Sequence, residues 1–231
     1  MLKKYFVILL SCVAFSLVTV VVAWSAEIIS SEKLICQIDY SSLTAESFKV
    51  SPDNMHVAYV AQTGAKQFVI IDGKEEKQYD GIGEGTLTFS PDSKRVAYVA
   101  LMGTKQIVVI DGKEEKRRYY GIGEGSLIFS PDGKRVAYMA STVTKQFAVI
   151  DGKEAKHYDG VGALIFSPDS KRVAYRAGTG TKQFVVIDGK EEKQYDGIGT
   201  PSFSHDGSLH YLAFKGNSIY LVRSQGHTHT N

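Results

Sequence analysis

The feature that most constrains this chain is a tripeptide that returns at an almost fixed interval. Ser51-Pro52-Asp53 recurs as Ser90-Pro91-Asp92, Ser130-Pro131-Asp132 and Ser167-Pro168-Asp169, and once more as Ser204-His205-Asp206. The spacings are 39, 40, 37 and 37 residues. Self-similarity at such a period means one supersecondary unit copied several times, each copy needing its neighbours to bury its apolar face.

One period reads as four short strands. Leu87-Thr88-Phe89 is apolar and precedes a turn in which Pro91 presets φ and Asp92 bonds the local backbone. Gly133 and Gly207 stand where Ser93 follows that turn. Arg95 to Ala100 and Gln106 to Ile110 are rich in Val, Ala, Ile and Tyr and apolar on both faces. Asp111-Gly112 is a tight-hairpin signal, and the returning segment from Glu114 to Tyr119 carries the charges expected of an outer edge in water. Four strands in about 40 residues, with no helical periodicity beyond the N-terminal run, predict an all-β, five-bladed β-propeller of four-stranded antiparallel blades.

The two ends of the repeat region fit together on paper. After Ser204 the last copy supplies Leu212 to Phe214 and Ser218 to Val222 but no fourth strand. Residues 33–40 precede Phe48 at the interval that separates Tyr158 from Phe166 and Tyr195 from Phe203. The expectation is that this N-terminal strand closes the last blade.

Lys3 and Lys4, then an apolar run from Tyr5 to Trp24 with Ala23, Ser25 and Ala26 at its end, have the order of a secretion signal. Residues 1–26 are therefore set aside as a signal peptide or anchor, 27–224 as the propeller and 225–231 as a disordered tail. The run is also long enough to span a bilayer, so an anchor through residues 5–24 stands as the alternative to a periplasmic or secreted protein. Leu9-Leu10-Ser11-Cys12 resembles a lipoprotein processing box, with a short apolar stretch before it. Without Lys3 and Lys4, 25 of the 27 basic residues remain against 25 acidic ones. That balance gives no attraction to nucleic acid or to anionic lipid, leaving the N-terminal segment as the route to a membrane. With Cys12 gone, Cys36 has no partner for a disulfide.

The string Phe129-Ser130-Pro131-Asp132-Gly133-Lys134-Arg135-Val136-Ala137-Tyr138 resembles the repeat of TolB-type, WD-like propellers, and similar strings cover nearly all of the chain after residue 26. The resemblance implies the propeller fold and an extracytoplasmic role in binding a protein or ligand. It does not imply the Tol-system role, because there is no room for the additional N-terminal α/β domain that TolB carries. Prolyl-oligopeptidase-type enzymes pair similar propellers with a hydrolase domain, but the G-x-S-x-G elbow is missing here.

No motif on the chain assembles catalytic chemistry. Gly81-Ile82-Gly83-Glu84-Gly85 and Gly121-Ile122-Gly123-Glu124-Gly125 look like phosphate loops but lack the helix that such loops need, and read as crossings between blades at positive φ. One Ser-Pro-Asp aspartate per blade spreads these acids around a ring, where they stabilise turns rather than converge on a metal. His227 and His229 lie in the tail, and His157 and His205 read as surface residues. Tyr79, Tyr119, Tyr158 and Tyr195 sit at the outer edge, either half-buried or as sugar-stacking platforms.

A single ligand site must break the repeat. Where three copies have Val60, Val99 and Met139 after a strand aromatic, Arg176 and Lys215 follow one in the last two. These two cations, with Glu84 and Glu124 of the glycine loops, make up the candidate ligand face. No cofactor or metal is implied. The function read from the sequence is an exported, non-catalytic module that binds a protein partner in the cell envelope. A multivalent binder of carbohydrate or of a small anionic ligand is the runner-up, and an enzyme is not expected.

Overall fold

The computed structural model describes residues 32–44 and 46–224. The expected signal or anchor at residues 1–26, with its lipoprotein-like box, and the tail at 225–231 lie outside the described residues. The described residues from Leu34 onward belong to one compact unit.

Five antiparallel sheets follow one another along the chain. The first is β1 (Lys49–Val50), β2 (Val57–Thr63), β3 (Lys66–Ile71) and β4 (Lys74–Glu75), hydrogen-bonded in that order. In the second, β5 (Gly81–Ile82) and β6 (Thr88–Phe89) are two halves of one inner strand, both paired with β7 (Val96–Met102), and β8 (Lys105–Ile110) and β9 (Lys113–Glu114) complete it. The third repeats this with β10 (Gly121–Ile122), β11 (Ile128–Phe129), β12 (Val136–Ser141), β13 (Gln146–Ile150) and β14 (Lys153–Glu154). The fourth has an unbroken but bulged inner strand, β15 (Gly160–Phe166), then β16 (Val173–Thr179), β17 (Lys182–Ile187) and β18 (Lys190–Glu191). The fifth consists of β19 (Gly197–Ile198) and β20 (Ser202–Phe203), which flank β21 (Leu209–Lys215) on one side, and β22 (Ser218–Ser224) on the other. This is the β-propeller blade repeated five times, in register with the tripeptide.

The turns explain the tripeptide. Ser90 Oγ donates to Asp92 Oδ1 at 2.6 Å and accepts the Arg95 N–H at 3.0 Å, closing a turn whose fourth residue, Ser93, has φ 63°. Ser51, Ser130 and Ser167 do the same with Asp53, Asp132 and Asp169. The Ser90 hydroxyl holds the Asp92 carboxyl below its ordinary range, and the serine hydroxyl is the leading cause at Asp53, Asp132 and Asp169 too. At the outer hairpin Asp111 and Gly112 both have positive φ, 51° and 72°, the pattern of a two-residue type I′ turn.

The second, third and fourth sheets are apolar on both faces because each is covered by a sheet on both. Ala97, Val99 and Val108 of the second sheet pack against Val136, Tyr138, Ala140, Phe147 and Val149 of the third. Tyr98 and Ala100 point the other way, onto Ala58, Val60 and Val69 of the first. A large tyrosine thus meets small alanines at every junction, and the outer-strand tyrosine of one sheet sits edge-on to the central tyrosine of the next, Tyr119 against Tyr138 at 6.1 Å.

Polar ties follow the same path. Asp151 Oδ1 accepts the Val136 N–H, and its Oδ2 accepts Arg135 Nε at 2.9 Å. Arg135 Nη1 then reaches Ser170 O and Lys171 O in the next sheet, at 3.1 and 2.8 Å, with the guanidinium over Phe166. Arg95 repeats the tie one sheet earlier. Gln67, Gln106, Gln146 and Gln183 each accept with Oε1 the N–H that opens the next inner strand, at Ile82, Ile122, Val161 and Ile198.

One expectation is corrected. Gly81-Ile82 and Gly121-Ile122 are not crossings at positive φ; they are strand, and only Gly85 and Gly125 of those loops are left-handed. The five-sheet blade pattern is as expected, while the ring closure is not shown: residues 33–40 carry no strand, and among the described residues β22 pairs with β21 alone. Cys36 packs instead on the Gly73 turn of the first sheet, and Ile38 and Leu43 cover Tyr59, Phe68 and Ile70. The competing attraction is apolar: the first sheet has no sheet before it, and the nearest chain covers its bare face.

Arg135→Met removes three charge-assisted bonds, two of them between sheets, and is expected to cost about 1–3 kcal/mol in denaturant unfolding. Lys156→Met, which removes the exposed pair with Glu191 and the contact of the ammonium with the Tyr158 ring, should cost under about 1 kcal/mol. Because the folded pKa values of the turn aspartates lie below the ordinary 3.8, their contribution is present above that value and lost as pH falls through it. Melting temperature should therefore hold from pH 7 to about 5 and drop below about pH 4.

Candidate functional site

The structure separates the residues of the predicted ligand face. Arg176 lies on β16 and donates from Nη1 to Ile198 O at 3.2 Å, lining a small cleft of about 150 Å³ with Gly160, Val161 and Gly162. The fourth copy lacks two residues of the glycine loop, and the side chain fills the space where Met139 meets Gly123 in the third. Lys215 is not its counterpart in the fifth sheet. Strand register puts Leu212 there, opposite Leu221, just as Arg176 is opposite Val185. Lys215 sits at the hairpin end near Asp196, whose carboxyl it helps to keep low after the larger effects of Lys182 and the Gly216 N–H. Glu84 lines a separate cleft of about 540 Å³ between the first two sheets, with Glu46, Lys49 and Gln67, and Glu124 stands exposed on the corresponding loop of the third. No ion pair or hydrogen bond joins any two of the four among the described residues.

The other candidates resolve into structure. The turn aspartates each bond their own turn. Tyr79, Tyr119, Tyr158 and Tyr195 are buried between sheets, so none offers a face to a sugar. Burial pushes the Tyr79 hydroxyl up to about 12, with the Glu114 carboxylate adding to it. His205 is exposed, and His157 stacks on Phe147 at 4.1 Å. His227 and His229 lie outside the described residues. Among the described residues no group of three His, Cys, Asp or Glu is placed to hold a metal ion.

What the sequence reading missed is the outer side of the fifth sheet. Leu212 and Leu221 are direct cross-strand partners, as are Phe214 and Ile219, so all four share one face. The counterparts of Leu212 and Leu221 in the second sheet, Val99 and Val108, are buried against the third. Here nothing among the described residues covers them: Leu221 is 75%, Ile219 67% and Leu212 47% exposed. The opposite face, with Tyr211, Ala213 and Val222, packs normally on the fourth sheet.

The edge of that sheet is open as well. Leu212 O accepts the Gly199 N–H, so Leu212 bonds towards the inner strand, and its partner Leu221 turns its own N–H and C=O outward. In the first sheet the equivalent Val69 O accepts the Glu76 N–H, and Gln67 exchanges both backbone bonds with Tyr79. Among the described residues no strand supplies these partners to Leu221 and Ile219. The missing signal was register: the last repeat keeps the apolar residues of a buried face, and only the pairing reveals that the face is bare.

Among solved structures the fold is similar to TolB from Acinetobacter baumannii, at 20% identity and a TM-score of 0.43, over 78% of this chain and 51% of that one. A eukaryotic initiation factor matches at 15% identity and a TM-score of 0.47, over 80% and 53% of the two chains. The β-propeller domain of the Trilobed protease from Pyrococcus furiosus matches at 16% and 0.41, over 78% and 66%. The chain thus spans about half the length of the TolB and initiation-factor chains. No family model and no curated protein matches the sequence. The propeller assignment rests on the strand pairing itself.

If the fifth sheet is bare, Leu221→Ala should change the unfolding free energy by less than about 0.5 kcal/mol. Val108→Ala, at the same register position in the second sheet, should cost about 1–3 kcal/mol. Comparable costs at the two positions, measured by urea unfolding, would mean that the fifth sheet is covered.

Proposed function

We propose that this chain is an exported, non-catalytic β-propeller that binds a protein partner, which adds a strand to the open edge of the fifth sheet. The observation that supports this reading is the coincidence, at Ile219 and Leu221, of outward backbone groups with an apolar patch. Unpaired backbone groups beside exposed apolar side chains are what strand addition uses, the main chain supplying affinity and the side chains selectivity. The other four sheets supply the template for the occupant. It is a short extended segment, antiparallel to β22, with an aromatic residue where Tyr79 pairs with Gln67. Rigid sheets beneath the edge keep the ordering cost on the partner's side alone.

The carbohydrate reading loses its one-platform-per-blade basis, because the four repeated tyrosines are buried. Export is supported by the order of charged, apolar and small residues in the first 26 positions. A non-catalytic role is supported by the scatter of the repeated acidic side chains, the Ser-Pro-Asp aspartates each bonding within their own turn.

The test is capture from an envelope extract with the full chain and two variants. Leu221→Pro removes an outward N–H without touching the β21 ladder, and Leu221→Lys keeps the backbone but breaks the patch. A discrete protein that co-purifies with the unaltered chain should fall at least about tenfold with each variant while melting stays within about 2 °C. Equal capture by all three forms, or saccharide binding without any captured protein, would contradict the proposal.

A further inference from the structure

The junction between the second and third sheets breaks the repeat at its rim. At three other junctions a lysine of one sheet pairs with an aspartate of the crossing segment: Lys66 with Asp80, Lys145 with Asp159 and Lys182 with Asp196, each at 2.5 Å. The second oxygen of each aspartate accepts the backbone N–H of a glycine in the next hairpin, Gly103, Gly180 or Gly216. At the odd junction the aspartate is replaced by Tyr120, and that hairpin has Val143 in place of its glycine. Lys105 is left without a carboxylate, its Nζ over the ring of Tyr120.

Two further substitutions concentrate charge at the same spot. The residues before the crossing tyrosine are Lys77-Gln78, Lys156-His157 and Lys193-Gln194 elsewhere, and Arg117-Arg118 here. Arg117 pairs with Glu154 at 2.8 Å, and Arg118 makes no ion pair among the described residues. The nearby Glu114 is engaged by Lys77 at 2.6 Å. Lys105, Arg117, Arg118, Tyr120, Thr142 and His157 line a groove of about 430 Å³, in which three cations face the single carboxylate of Glu154. Tyr120 is 56% exposed, whereas the repeated tyrosines are buried.

We infer that this rim groove is a binding site for an acidic sugar residue. Lys105 and Arg118 present donors that meet no carboxylate in an ion pair among the described residues, which suits a carboxylate or sulfate oxygen. The volume is that of a small-molecule site rather than of a bare ion, and the hydroxyls of Ser141 and Thr142 in its lining add neutral hydrogen-bonding groups. Lys105 covers one face of the Tyr120 ring, and the exposed remainder of the ring provides the flat apolar surface against which a pyranose packs. The inference is independent of the open edge of the fifth sheet, which lies at another junction.

The test uses the full chain with an oligogalacturonate, its neutral methyl ester and inorganic sulfate, followed by calorimetry at low and at physiological salt. The acidic oligomer should bind more weakly as salt rises, and the neutral ester should bind at least about tenfold more weakly still. Tyr120→Asp restores the ion pair of the other junctions and so preserves the fold. It should cut binding at least tenfold with melting unchanged, as should Arg118→Gln. Equal affinity for the acidic and neutral oligomers, equal affinity for inorganic sulfate, or unaltered binding in Tyr120→Asp would each overturn the inference.

Discussion

Everything in this molecule depends on one sheet face packing on the next. No blade has a core of its own. The tyrosine of each central strand is buried by alanines and valines of the preceding sheet, and its own alanines are buried by the tyrosine that follows. Stability is then a sum of nearest-neighbour junctions, as in any array whose units bury surface only against their neighbours. The polar ties obey the same logic, since Gln106 and Arg135 each secure the start or the turn of the following sheet.

Such an array has an end problem, and the two ends solve it differently. The first sheet's bare face is covered by local chain, through Ile38 and Leu43 on Tyr59 and Phe68. At the fifth sheet the described chain leaves Leu212, Phe214, Ile219 and Leu221 exposed beside an unpaired edge. Unmanaged edges of this kind invite association, so the natural reading is that something is meant to pair there. The proposed function follows from this asymmetry more than from any single residue.

The sequence made the blade legible because its signals are local. Ser90, Pro91 and Asp92 close a turn within six residues, and Asp111-Gly112 closes a hairpin within four, so both could be read without knowing the neighbours. What depends on register was not legible. Aligning Lys215 with Arg176 by the preceding aromatic chose Phe214 over Tyr211, a shift that only the β21 to β22 pairing corrects. The role of Gln106 was hidden because its partner, the Ile122 N–H, belongs to the next sheet. Tyr120 was visible as a departure from the aspartate of the other copies, but its meaning needed the unpartnered Lys105 beside it. The closing strand is not seen in the described pairing, where Ile38 and Leu43 lie on Tyr59 and Phe68 of the first sheet.

The account turns on whether the outer edge of the fifth sheet is open in the isolated protein. Native-state amide hydrogen exchange at Ile219 and Leu221 reads this directly, with Gln67 and Val69 as the same positions in a sheet that has its fourth strand. The account predicts that Leu221 and Ile219 exchange at least about a hundredfold faster than Gln67, whose N–H is bonded to Tyr79 O. Protection at Leu221 and Ile219 equal to that of Gln67, and lost on deleting residues 27–44, would show that the chain fills its own edge and would contradict it.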